Sequence, residues 1–446
     1  MKIIVAGAGA VGSHLAKMLS QENHDIVLID PDEEKLRQVG STLDVMTRTG
    51  SATSINDLLD CGVKKADLFI SVARKEETNI TASILSKRLG AKKTIARIDN
   101  QEYLYAKHRD HFISMGIDYM IYPEKIASRE IVGLLHQTGS TDIVDFSGGK
   151  LSLFVLRLDE DSKITNKSLQ EITASQEKTE FRAVAINRNS ETIIPNGDFK
   201  LSVNDSIYVI STQDGIDTLM ELSGKKKFDV RNIMILGGSR IGMLTAKDLG
   251  TQHNIKLIEQ DREKSYRLSN MLNNTLVING DGRDVNLMIE EGLDKMDAFI
   301  AVTGDSEINI LSCMLARKLG VKKTICEVEI IDYIALAENM GIDTIINKKL
   351  IAASRIFRFT SSEVVSAVKC LTGTDAEVLE FEVQPDTKIT EASLNQINFP
   401  KDSMVGGVIR GETSFIANGY TLIKPGDKVV VFCLPSAIPK VSKLFN

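Results

Sequence analysis

The sequence predicts an α/β protein in which two doubly wound parallel-sheet domains are each followed by a small α+β module. Three observations carry this expectation. An apolar run, Ile3 to Ala6, passes straight into Gly7-Ala8-Gly9-Ala10-Val11-Gly12; Val11, Leu15, Met18 and Leu19 then recur at helical spacing before a second apolar run, Ile26 to Ile29, ends on Asp30. The same succession starts again about 230 residues later, at Arg231. Between the copies, from Leu151 to Ile210, the apolar period changes from helical to alternating.

The opening stretch reads as strand, glycine turn, helix, strand, with an acid about 20 residues past the glycines. Each part has a role in holding a nucleotide. Gly7 lets the chain turn tightly, Gly9 lets the backbone approach a phosphate, and Gly12 lets the helix lie close to the strand. The helix N-terminus offers unpaired N–H groups and a positive dipole end to that phosphate. Asp30, at the carboxyl end of its strand, is placed to accept from the adenosine ribose hydroxyls. An acid there disfavours a 2′-phosphate, and so NADP, but it does not separate NAD from ATP or ADP.

In chain order, Pro31 to Val39 is expected as a helix started by Asp30 and proline. A short strand, Asp44 to Thr47, is followed by a helix over Gly50 to Asp60, with Ser54 and Asp57 in capping-box spacing. Leu68 to Val72 reads as a buried strand that delivers Ala73 and Arg74 to the place where such sheets meet their ligand. A helix from Glu77 to Leu89 is closed by Gly90, and a strand over Lys92 to Ile98 carries Arg97. Gly116 to Ile121 completes the parallel alternation, and Arg129 to His136 is one more helix. Gly139-Ser140-Thr141 and Ser147-Gly148-Gly149 then break the pattern, and strands LSLFVLRL, FRAVAI and SIYVI form the first small module.

Lys225-Lys226-Lys227 reads as a solvated linker, after which Arg231 to Leu236 runs into Gly237-Gly238-Ser239-Arg240-Ile241-Gly242, and the strand Ile255 to Ile258 ends in Glu259. Residues repeat in register as well as pattern. Asp67-Leu-Phe69-Ile70 returns as Asp297-Ala-Phe299-Ile300, Glu77-Thr-Asn79-Ile80 as Glu307-Ile-Asn309-Ile310, and Lys92-Lys93-Thr94-Ile95 as Lys322-Lys323-Thr324-Ile325. The small module also recurs, Leu151 to Ile210 being echoed by Glu377 to Phe432 with Asp205 matched by Asp427. The expected division is 1–138, 139–224, 228–362 and 363–446.

Length alone calls for more than one core. A net charge of −6 argues against a nucleic-acid partner held by phosphate contacts. The five cysteines show no close CxxC spacing and no nearby histidine in ligand register, which fits small core residues in a reducing compartment and predicts no metal site. No stretch approaches the roughly 18 uninterrupted apolar residues of a membrane span, so direct membrane insertion is not expected and the chain is expected in the cytosol.

Two nucleotide-type domains in tandem, each trailed by a small module, resemble the TrkA family, cytosolic regulatory subunits of Trk potassium transporters. The large units look like Rossmann-type RCK, or KTN, domains and the small ones like their C-terminal modules. The resemblance implies a ring of RCK domains at the cytoplasmic face of the inner membrane, beneath an integral membrane potassium transporter subunit of the TrkH or TrkG kind. Four copies of a tandem chain supply eight such domains, a homo-tetramer. It implies that Gly7, Ala8, Gly9, Ala10, Val11 and Gly12 line NAD(H), that Asp30 holds the ribose, that Ser51 and Ala52 sit near the adenine, and that Ala73 and Arg74 lie beside the pyrophosphate. Arg97 would supply charge to a phosphate; the alternative for Arg74 and Arg97 is an ordinary surface arginine at a strand end.

The corresponding candidates of the second site are Gly237, Gly238, Ser239, Arg240, Ile241, Gly242, Glu259 and Asp281. Ser239 replaces the middle glycine and makes the backbone less free to approach a pyrophosphate, while Arg240 can pair with a terminal phosphate. This resembles the glycine-loop arginine of ATP-sensing RCK subunits, so the second site is expected to take ATP or ADP, or NAD. The alternatives are a purely structural second copy and, for the whole chain, an NAD-dependent oxidoreductase with a duplicated domain. Hydride transfer needs a proton donor or acceptor beside the nicotinamide, and none of the six histidines stands in a spacing that suggests a dyad. A non-enzymatic regulator is therefore the favoured reading.

Overall fold

The computed structural model describes the chain apart from residues 21–23, 137–141, 159–161, 175–179, 189–190, 213–214, 217, 219–220, 222–227, 343, 358, 360–364, 371–375 and 446. The Gly139-Ser140-Thr141 break and the Lys225–Lys227 linker lie outside the described residues. Two compact units make up the chain, residues 1–126 with 348–369 and residues 127–347 with 370–446.

In the first unit, β1 (Lys2–Ala6), β2 (Asp25–Asp30), β3 (Met46–Thr49), β4 (Leu68–Ser71), β5 (Lys93–Arg97) and β6 (Tyr119–Ile121) form one parallel sheet in the order β3-β2-β1-β4-β5-β6. Ile3 to Ala6 and all of β4 are buried, which is why both read as unbroken apolar runs. The helices of this unit include α1 (Ala10–Ser20), α2 (Glu33–Gly40), α3 (Ile55–Asp60), α4 (Glu76–Leu89) and α5 (Ala106–Met115). The helix Lys348–Phe357, from the stretch read as the second nucleotide-type domain, packs on α1 here.

Several boundaries differ from expectation, β6 for one beginning at Tyr119 rather than Gly116. α2 starts at Glu33, not Pro31, because Asp32 is its cap, accepting from the backbone N–H groups of Glu34 and Lys35, while Asp30 is engaged elsewhere. β3 lies two residues later than Asp44 to Thr47, its register set by pairing Val27 with Met46 through Asp30 with Thr49. α3 begins at Ile55 rather than Gly50: Ser54 caps it by accepting from the Asp57 N–H, but the Asp57 carboxylate bonds the Ser51 N–H instead of closing a reciprocal box.

The second unit repeats the design. β12 (Asn232–Leu236), β13 (Asn254–Glu259), β14 (Thr275–Asn279), β15 (Ala298–Ala301), β16 (Lys323–Glu327) and β17 (Thr344–Ile346) are ordered β14-β13-β12-β15-β16-β17. The helix α6 (Pro123–His136), longer at its start than expected, enters this unit at Ala127, and the Ser128 and Thr245 hydroxyls meet there at 3.3 Å, both buried. Each unit thus takes a helix from the other half of the sequence.

The small modules follow the strand-rich stretches. β7 (Asp142–Phe146), β8 (Leu151–Arg157), β9 (Phe181–Arg188), β10 (Glu191–Ile193) and β11 (Ser206–Thr212) form an antiparallel sheet ordered β10-β9-β11-β8-β7, with α7 (Leu169–Ala174) inserted. β18 (Val365–Cys370) precedes the second module, where β19 (Glu377–Glu382), β20 (Ser403–Arg410), β21 (Thr413–Ile416) and β22 (Lys428–Cys433) repeat the order of β8, β9, β10 and β11. Leu151, Leu153, Tyr208 and Ile210 share one core with Val378, Ile409, Val430 and Phe432, so the two modules bury a common apolar face. Both sheets carry a bulge at the same place, the extra residue being Val184 on β9 and Gly406 on β20.

Each module is also held by the same clamp. Arg188 grips Asp205 through Nε and Nη2, both at 2.7 Å, and Arg410 grips Asp427 at 2.8 and 2.7 Å. The two aspartates are 1% exposed and each also accepts a backbone N–H, from Ser202 and from Lys424. Truncating either acid strands a guanidinium and a loop N–H. Asp427→Ala is therefore expected to lower the stability of the joined modules by about 2–3 kcal/mol, discounted from a fully buried pair because Arg410 is one-third exposed, read as a fall in the urea midpoint. An unchanged midpoint would mean the clamp is incidental.

Candidate nucleotide-binding sites

At the end of β1 the chain turns at Gly7, whose φ of +109° and contacts exclude a side chain: a Cβ would stand 2.9 Å from the Ala73 nitrogen. At Gly12 a Cβ would fall 1.8 Å from the Gly7 carbonyl oxygen, so α1 lies directly on the loop. At Gly9 a Cβ would meet nothing within 4 Å; the loop is open on that side, and Gly9 and Ala10 are exposed. Ala8 is buried beneath it, Val11 half-buried. The residue before α1 is Gly9, which has no side chain with which to cap the helix start.

Asp30 closes this loop. Its Oδ2 accepts from the Ala8 N–H at 2.6 Å and its Oδ1 from the Asp32 N–H at 2.9 Å. The Gly50 N–H donates to the Asp30 carbonyl, which brings exposed Ser51 and buried Ala52 beside the acid. Ala73 and Arg74 follow β4, next to β1, and Arg74 is exposed. These candidates converge at the carboxyl ends of β1 to β4, beside the point where strand order reverses.

Arg97 ends β5 and is not a bare surface arginine. It bonds Asp99 at 3.1 Å and lies 4.0 Å from the buried Glu124, so its charge is partly neutralised by protein acids.

The second site repeats the frame and changes its contents. Gly237 has φ +103°, and a Cβ at Gly242 would fall 2.1 Å from the Gly237 oxygen. Ser239, the N-cap of the helix Arg240–Leu249, accepts the Gly242 N–H at 3.3 Å, so this helix start is capped from within. Arg240 is exposed at the first helical position and Ile241 is buried behind it. Glu259 is buried: Oε2 accepts from the Gly238 N–H at 3.0 Å and pairs with Lys264 Nζ at 2.6 Å, and Oε1 accepts from the Asp261 N–H at 3.0 Å.

Burial works against the Glu259 charge, but the bonds from Asp261, Lys264 and Gly238 outweigh it and hold the carboxyl below its usual range. The Gly280 N–H donates to the Glu259 carbonyl, setting Asp281 close by; the Asp281 carboxylate is gripped by Arg283, which holds it down to about 2. Where β5 ends in Arg97, β16 ends in buried Glu327.

Family models for the TrkA-N domain match residues 3–123 and 233–348, and those for the TrkA-C domain match 153–224 and 378–446. The chain belongs to the TrkA family. It is 33% identical over 456 residues to Trk system potassium uptake protein TrkA homolog 2 of Methanosarcina mazei and 32% identical over 448 residues to the TrkA homolog of Archaeoglobus fulgidus, in each case covering all of both chains. It is 30% identical over 452 residues to TrkA of Haemophilus influenzae, covering 100% of this chain and 99% of the relative. Among solved structures it shares the fold of the GsuK RCK domain, with a TM-score of 0.61 and 15% identity, covering 100% of this chain and 94% of that one. The GsuK channel bound to NAD gives the same TM-score and identity and is 78% covered. No described helix of this TrkA-family chain is long and apolar enough to cross a membrane.

Sequence reasoning missed the residue that sets the far side of each site. Asn79, buried on α4, accepts from the Ala73 N–H at 2.7 Å and the Ser71 hydroxyl, and its Nδ2 donates to the carbonyls of Ala73 and Arg97, both at 3.0 Å. Asn309 repeats this, accepting from the Thr303 N–H and donating to the carbonyls of Thr303 and Glu327. The signal was present: a polar residue inside a helix recurs in register in Glu77-Thr-Asn79-Ile80 and Glu307-Ile-Asn309-Ile310.

Asn79→Ala is expected to cost the first sheet about 2–3 kcal/mol, because buried backbone groups at two strand ends lose their partner. Hydrogen exchange should show β4 and β5 amides losing protection; unaltered exchange would overturn the strap role. A second expectation concerns acid. Since folding lowers the Glu259 carboxyl below its ordinary 4.5, its stabilisation is complete above that value and is lost as pH falls through the folded value. Unfolding followed between pH 6 and 3 should show Glu259→Gln with a shallower acid limb than the parent; parallel limbs would contradict this.

Proposed function

We propose that the chain is a nucleotide-binding regulatory subunit of a Trk-type potassium uptake system, acting without catalysis. It holds NAD(H) at the first site and ATP, ADP or NAD at the second. The observation that carries this reading is the first glycine loop, open at Gly9 with an uncapped helix start, while Asp30 stands at the ribose position with one backbone bond on each oxygen. The relatives named as Trk potassium uptake proteins support the transport role, and the RCK-type channel structure described as bound to NAD supports the ligand class.

On this reading Gly7 to Gly12 line the dinucleotide, Ser51 and Ala52 flank the adenine, Ala73 and Arg74 the pyrophosphate, and Arg97 faces a phosphate from between its acids. Arg240 meets a terminal phosphate at the second site, with Asp281 beside Glu259. The four-part division at 1–138, 139–224, 228–362 and 363–446 accompanies it, two nucleotide domains and two C-terminal modules. Four copies form a ring that docks from the cytoplasmic side on an integral membrane subunit of the TrkH or TrkG kind, which supplies the membrane span. Reversing a two-state equilibrium from 1:99 to 99:1 takes about 5.5 kcal/mol, against roughly 1–3 for one typical coupled site, so several sites act together.

Calorimetric titration of the full chain with NADH, NAD, ATP, ADP and NADP tests the assignment. Asp30→Asn is expected to weaken first-site binding roughly 10- to 100-fold by removing a charge-assisted ribose bond, and NADP to bind the parent worse than NAD. Glu259→Ala should silence a separate site. Affinity indifferent to Asp30→Asn, or no binding by any of the five nucleotides, would overturn the reading.

A further inference from the structure

The two acids that end β2 and β13 each have a lysine five residues later, Lys35 and Lys264, yet the lysines choose different partners. Lys35 pairs with Asp32, the cap of α2, at 2.9 Å. Lys264 reaches past Asp261, the corresponding cap, and pairs with Glu259 at 2.6 Å. The cause is one methylene: glutamate extends its carboxylate to the lysine, whereas among the described residues no side-chain cation pairs with Asp30.

This difference changes what each acid has left to offer. A carboxylate has about four lone-pair sites. Asp30 uses one on each oxygen, for the N–H groups of Ala8 and Asp32, and keeps one on each for a ribose diol that donates to both oxygens. Glu259 uses three, for Gly238, Asp261 and Lys264, and its Oε2 is filled.

We propose that Lys264 is an internal competitor at the second site: it holds the Glu259 oxygen that a ribose hydroxyl needs, so a nucleotide seats there only by displacing it. This rests on the nucleotide reading of the second site. The pair is suited to the task, since the Glu259 side chain is 7% exposed and cannot turn away, while the Lys264 side chain is 39% exposed and can swing into solvent. Lys264 thereby sets the second-site affinity below that of the first for the same adenosine ribose.

The test uses the full chain carrying Asp30→Asn, which weakens the first site and so separates its residual binding from that of the second, titrated with ADP and with ATP. Lys264→Gln is expected to tighten second-site binding about tenfold. Glu259→Asp, which withdraws the carboxylate from the lysine and recreates the first-site arrangement, should tighten it too, and serves if Lys264→Gln folds poorly. Unchanged or weaker binding in both variants overturns the competitor role, and weaker binding would make Lys264 a ligand contact. The nucleotide reading itself is judged separately by Glu259→Ala: if the Asp30→Asn chain binds and Glu259→Ala abolishes it, that reading stands whatever Lys264 does. If neither that chain nor the Lys264→Gln variant binds either nucleotide, both fall.

Discussion

At Gly12 the helix α1 comes so close to the loop before it that a single methyl group would penetrate the Gly7 carbonyl, and at Gly242 the same holds for Gly237. This approach fixes where α1 starts relative to β1, and so where its first N–H groups point. It also turns the loop so that the Ala8 N–H meets Asp30, and the Gly238 N–H meets Glu259. A helix that stood off by the width of a side chain would lose the N–H to carboxylate bond. The rest of each sheet serves this junction: Asn79 and Asn309 hold the neighbouring strand ends where the glycine turn can rest on Ala73 and Thr303.

Duplication explains much that one copy would leave unmotivated. The first module buries one sheet face in its own core, where Phe154, Leu156 and Val209 meet Ile172 of α7, and covers the other against the second module, as the common core of Tyr208, Ile210, Val430 and Phe432 shows. Repetition of the Arg188–Asp205 clamp as Arg410–Asp427 keeps the two faces matched, because each clamp ties the strand leading into the hairpin to the turn before the last strand. The helix Lys348–Phe357 on α1, and Ser128 against Thr245, extend the exchange to the larger domains.

Legibility followed the physics of each feature. Buried strands and glycine turns were readable because burial on both faces and positive φ leave strong residue-level marks, as in Ile3 to Ala6 and Gly7. The start of α2 was misread because two acids, Asp30 and Asp32, suit a cap equally, and only the tertiary demand of the Ala8 N–H on Asp30 decides between them. β3 was shifted because Met46 to Thr49 is an exposed edge strand with no apolar alternation to locate it. The helix exchange left no local trace at all, since a helix face records that it is covered but not by which element.

The two sites share a frame to within a few tenths of an ångström in their bonds, yet four substitutions set them apart. Ser239 for Gly9 supplies an internal cap, Glu259 for Asp30 recruits a lysine, Asp281 for Ser51 brings an acid that Arg283 must neutralise, and Glu327 for Arg97 reverses a charge at a strand end. The first three give a protein group a bond inside the second copy: Ser239 to the Gly242 N–H, Glu259 to Lys264 and Asp281 to Arg283. On the proposed reading a ligand entering the second site would exchange internal bonds for its own, whereas one entering the first would meet the open side of the loop and an acid with spare acceptor sites. On that reading this arrangement would make the two sites unequal inputs, the first filled across the ordinary range of its nucleotide and the second responsive only when its own ligand is abundant enough to outcompete the protein.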